Sequence, residues 1–153
     1  MNVMTMKRNL AVLAGSGLVL IGVFSIAALQ VLAVQSSAYG PEIKSFLEYI
    51  RHEQTELHFQ IVHQEISRKD FVRSKDRLDV LREAVLTHFR RTRQDLVPEY
   101  SVVAASELGD LLENGYEDLK GHKPGDAISR KWRYIGTVTR SEKFYILESL
   151  HGD

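Results

Sequence analysis

Six histidines are the first residues to weigh for chemistry: His52, His58, His63, His88, His122 and His151. A metal site on helices needs ligands four apart on one face, or a Glu-x-x-His pattern. Neither spacing occurs, and Glu48 with His52 makes only an ordinary i, i+4 surface pair. His52, Glu56 and His63 can share a side of one helix, but without a second helix they do not close a site. No metal or other cofactor is expected. His88 falls on an apolar stripe, the usual place of a hydrogen-bonded core histidine. The chain has no cysteine, which removes disulfides, thiolate metal sites and thiol nucleophiles together. It also lacks a Gly-x-Ser-x-Gly elbow and a glycine-rich phosphate loop. The sequence therefore reads as that of a protein without catalytic activity.

Charge is the feature with a pattern. Residues 68–93 carry nine basic and four acidic side chains and end in Arg90, Arg91 and Arg93. Residues 98–120 carry Glu99, Glu107, Asp110, Glu113, Glu117 and Asp118 against Lys120 alone. Attraction between two neighbouring helices explains the pattern most simply. The sharper reading makes the arginines a recognition surface, because guanidinium groups capture carboxylates and phosphates in a bidentate fashion. A second basic aromatic cluster surrounds Trp132, with Arg130, Lys131, Arg133 and Tyr134. Core packing is the default for Trp132, yet Trp, Tyr and Arg are also the residues that concentrate binding energy at interfaces. The candidate partner-binding set is thus Arg90, Arg91, Arg93, Trp132 and Arg133.

These groups need elements to hold them. Residues 10–34 contain no Asp, Glu, Lys or Arg, and Gln30 is their only strongly polar member. A spanning helix needs about 20 apolar residues, so this run of 25 residues reads as a transmembrane anchor. A cleaved signal ending near Ser36-Ser37-Ala38 is the competing reading, but signal cores are usually only ~7–15 residues. Ala11, Gly15 and Gly22 offer a small-residue surface for packing against another spanning helix. Lys7 and Arg8 before the run place residues 1–9 in the cytoplasm by the positive-inside rule. That puts a domain of residues 41–153 on the far side of a plasma or inner membrane, after a linker at 35–40. The domain carries eighteen positive against twenty negative side chains, a net −2. Such a balance argues against nucleic acid as a partner. The lipid bilayer and other membrane subunits are the partners expected.

Within the domain, Ile43, Phe46, Leu47 and Ile50 recur at helical spacing, and Leu57 and Ile61 continue the stripe. This predicts a helix from Pro41 to about Ile66. Ser67 and Asp70 form a capping signal for a second helix at 68–93, buried through Phe71, Leu78, Leu81, Val85 and Phe89. Ala105, Leu108, Leu112, Tyr116 and Leu119 predict a third helix at 98–120. A fourth, interrupted near Gly136, is expected to follow the Gly121–Gly125 turn, with a hairpin from Trp132 to Leu147 as its alternative. The fold class expected is mainly α: an anchor followed by a three- to four-helix bundle. The function expected is that of a non-catalytic accessory or scaffold subunit of a membrane complex. A tethered sensor with a ligand site between the first two helices, near His58 and His88, is the alternative.

Overall fold

The computed structural model describes residues 38–150. The first two helices form as the apolar spacing predicts. Helix α1 spans Pro41–Val62 and α2 spans Arg68–Thr92. Proline opens α1, where its missing N–H costs nothing. The first free amides of α1 are closed by a distant residue: the Asp95 carboxylate accepts from the backbone N–H of Glu42 at 3.0 Å and of Ile43 at 3.1 Å. Gly40 leaves room for this cap, since a Cβ there would run into the Asp95 carboxylate. Ser67 caps α2, accepting from the Asp70 amide at 3.1 Å. At its other end α2 closes on Arg93 in the left-handed region, with φ 58°.

The second half of the chain departs from expectation. In place of two further long helices stands a three-stranded antiparallel sheet, β1 (Tyr100–Ala104), β2 (Trp132–Thr139) and β3 (Lys143–Ser149), in the order β1-β3-β2. The expected mainly-α bundle is therefore replaced by a mixed helix-and-sheet fold. Residues 98–120 divide into β1, a 3-10 turn at Ala105–Glu107, a single-turn helix α3 at Leu108–Leu111 and a second 3-10 turn at Gly115–Leu119. The interrupted fourth helix is instead the β2–β3 hairpin, the alternative expected for Trp132 to Leu147, and the interruption is a bulge in β2 between Tyr134 and Gly136.

The sheet lies between two layers. On one face Val102, Ala104, Phe144 and Ile146 pack with Val80 of α2, backed by Leu81 and Ala84. On the other, Tyr145 and Leu147 pack with Leu108, Leu112 and Leu119 of the β1–β2 connection. Helix α1 lies against α2, with Ile43 and Ile50 buried. Gln54 Nε2 donates to Asp79 at 3.0 Å across the helix pair.

The transmembrane anchor placed at residues 10–34, with Ala11, Gly15 and Gly22, lies outside the described residues, as does the N-terminal tail at 1–9. Among the described residues no helix is long and apolar enough to cross a membrane. The two long helices, of 22 and 25 residues, are interspersed with charge along their length. The helical-bundle description of the domain is thereby corrected, and the expected membrane localisation finds no spanning helix among the described residues.

Ion pairs fasten α2 to the sheet. Arg73 pairs with Glu142 in the β2–β3 turn. Arg77 holds both oxygens of Glu107 at 2.6 Å, and Arg140 reaches Glu83 at 3.0 Å. Asp76 accepts from the Ser141 amide at 2.9 Å. Burial works against the charge of Glu107, but the Ala104 amide and the Arg77 guanidinium outweigh it and hold the carboxyl below its usual range. Burial likewise opposes the charge of Asp76, and the Ser141 hydroxyl and amide with Lys75 and Arg140 overcome it. Groups depressed in the folded state contribute stability above the unfolded carboxyl range, near pH 4, and lose it as pH falls through the lower folded values. The melting temperature should thus fall with acidification below about pH 4, and Glu107→Gln should flatten that fall while lowering stability at neutral pH. An unchanged acid limb in the variant would remove Glu107 from the account.

Candidate functional site

A single helix is about 10 Å across, whereas strands lie about 4.8 Å apart. One helix therefore covers roughly two strands. Helix α2 packs on β1 and β3, and the inner face of β2 is left partly bare. The result is a cleft of about 590 Å³ between the C-terminal half of α2 and β2. Its floor is apolar, made by Val80 and Ala84 of α2 with Ile135, Val138 and Ile146 of the sheet.

One end of the cleft is polar. The register places Tyr100, Glu148 and Arg133 in one row across the three strands. Helix α2 brings His88 and Arg91 down beside that row. Arg133 Nη1 donates to Glu148 Oε2 at 2.8 Å. Tyr100 Oη meets His88 Nδ1 at 3.2 Å, and His88 Nε2 is buried with no partner among the described residues. Burial, then the negative charge of Glu148, push the Tyr100 phenol above its usual range, while Arg91 and Arg133 pull the other way. The phenol therefore keeps its proton at neutral pH and remains a donor.

The arginines predicted as one cluster are separated by this geometry. Arg91 lines the cleft. Arg90 turns aside and donates to Leu86 O at 3.1 Å and Thr87 Oγ1 at 3.3 Å. It borders a smaller polar depression that also contains Asp79, Arg82 and Arg140. Arg93 lies beyond the helix, where its backbone N–H bonds Phe89 O at 2.8 Å. Trp132 and Arg133, adjacent in β2, point to opposite faces of the sheet as strand geometry requires. Trp132 packs with the Leu108 cluster, its default structural reading, and Arg133 joins the cleft. The fold thus brings Arg91 and Arg133 together and leaves Arg90, Arg93 and Trp132 outside.

The ligand site expected near both His58 and His88 divides likewise. His58 stacks edge-on against Phe71, with centroids 6.0 Å apart. Phe71 and His88 are seventeen residues apart on α2, about 25 Å along a helix axis. Tyr100 and Glu148 entered no expectation, because strand register alone makes them neighbours. Among the described residues no group of three metal-ligating side chains converges.

The chain matches no protein-family profile, no curated protein and no solved structure. Its function must be argued from its own side chains.

Proposed function

We propose that the chain is a non-catalytic accessory or scaffold subunit, which works by docking the basic C-terminal end of α2 onto an acidic surface of a partner protein. The observation that carries this reading is how the charges of α2 are matched. Along its middle Arg73, Lys75 and Arg77 each find a carboxylate within the domain, while Arg68, Lys69 and Arg82 are exposed and form no ion pair among the described residues. Arg90, Arg91 and Arg93 crowd the C-terminal end, on different sides of it, and also form no ion pair among the described residues. They are exposed, and the acidic segment at 98–120 reaches back to α2 through Glu107 and Arg77 instead. The helix macrodipole favours cations at this end, but that holds for any one of them and does not require three.

Replacing Arg90, Arg91 and Arg93 together with glutamine tests the reading. Docking predicts that a partner co-purifying with the wild-type chain is lost from the variant. It also predicts that added salt weakens the wild-type association, while the melting temperature changes little. A lower melting temperature with the same partner retained would assign the three arginines to the fold and sink the proposal.

A further inference from the structure

The cleft beside α2 has one uncompensated charge, and that sets what it can hold. Of its four side chains that are charged at neutral pH, Arg133 is matched by Glu148 at 2.8 Å and Glu83 by Arg140 at 3.0 Å. Arg91 remains without an ion pair among the described residues. Next to it stand the Tyr100 hydroxyl, engaged with His88 Nδ1 at 3.2 Å, and His88 itself, whose Nε2 has no partner among the described residues. Beyond them the floor is hydrocarbon, and the small side chain of Ala84 leaves the helix side open above Ile135 and Val138. A volume of about 590 Å³ lies within the range of small-molecule sites, roughly 300–1,000 Å³.

We infer that this cleft binds a small amphipathic monocarboxylate. Its carboxylate meets the Arg91 guanidinium, and its apolar body lies on Ala84, Ile135 and Val138. Guanidinium and carboxylate match as a two-point, charge-assisted pair. One free cation suits one negative charge. A dianionic phosphate would keep a surplus charge facing Glu148 and Glu83. The apolar floor supplies the complementary half, since covering it removes hydrocarbon surface from water. This goes beyond the accessory-subunit reading and does not depend on it.

Isothermal titration of the full-length chain with 4-phenylbutanoate, 4-phenylbutan-1-ol and the phosphate monoester of that alcohol separates the cases. The carboxylate should bind saturably with one site, and at least about tenfold tighter than the alcohol, as expected when a charged hydrogen bond is lost. Arg91→Gln should reduce carboxylate binding to the level of the alcohol. Thr87→Trp, at an exposed position on the cleft rim, should abolish binding of both without unfolding the chain. Equal affinity for carboxylate and alcohol would overturn the proposal, as would tighter binding of the phosphate monoester or no binding at all. Arg90→Gln with Arg93→Gln distinguishes this site from the partner surface. Those changes should weaken partner association and leave 4-phenylbutanoate binding intact. Carboxylate binding with no partner association sinks the proposed function alone, and the reverse sinks this one alone.

Discussion

Replacing Phe144 with alanine should cost about 3–5 kcal/mol, a large share of the roughly 5–15 kcal/mol that holds a domain folded. Phe144 is fully buried on the central strand. It stands opposite Ala104 on β1 and Val138 on β2, with Val80 of α2 closing over the same cluster. The large ring faces a small alanine, so the layer is filled by size complementarity, and neighbouring backbone can move only a little into the space left. Ile146, buried on the same face, should cost about 2–5 kcal/mol on truncation. Tyr145 and Leu147 are buried on the opposite face. Four consecutive enclosed positions are possible on a strand covered on both faces and impossible on a helix packed on one side. Urea denaturation of the four single alanine variants reads this directly. If every second variant were nearly neutral, the strand would have one wet face; if none lost more than about 1 kcal/mol, the core would lie elsewhere.

The same feature explains why the sequence offered the Trp132–Leu147 hairpin only as the alternative to a helix and gave no sign of β1. A central strand buried on both faces has no period-two alternation, and Phe144–Leu147 is a short apolar run that suits a helix equally well. In β2 the bulge shifts the register at Gly136, so alternation breaks there as well. Gly136-Thr137-Val138-Thr139 then resembles a helix interruption more than a strand. The α1–α2 pair was legible for the opposite reason. Each helix carries apolar residues at helical spacing and is opened by a proline or a serine cap.

The candidate site was half legible. Arg91 and Arg133 belong to conspicuous basic clusters, and their sequence neighbours identified them. Tyr100 and Glu148 carry no such mark. They meet because β1 and β3 pair with Tyr100 opposite Glu148, and Arg133 joins them only through the β2 register. That the cleft exists at all depends on one helix being narrower than three strands, a fact of packing that no residue spacing contains. The deceptive signal was the acidic segment. Its charge does attract α2, but through one ion pair, in which Arg77 Nη2 donates to both oxygens of Glu107, not through an opposing helix.

Leu108→Ala should cost about 2–5 kcal/mol, whereas Tyr116→Ala should cost far less. On a continuous helix over residues 98–120, Leu108, Leu112 and Tyr116 would form one stripe at four-residue spacing, and truncating any of them would be comparably harmful. The structure breaks that stripe. Leu108 opens the single turn of α3 and is fully buried against the sheet. Leu112 follows in extended conformation, with φ −119° and ψ 136°, and is still buried. Asn114-Gly115 then turns the chain, Gly115 taking φ 58°, a conformation in which glycine alone has no steric penalty. Tyr116 emerges 49% exposed, touching Tyr145 only edge-on at 6.1 Å between centroids. Alanine is a better helix former than leucine, so local propensity at α3 cannot account for a loss at Leu108. What remains is the cavity opened beneath Tyr145 and Leu147. Thermal or urea unfolding of the two variants decides between the arrangements. A loss at Tyr116 equal to that at Leu108 would restore the continuous helix and displace the layer that covers this face of the sheet.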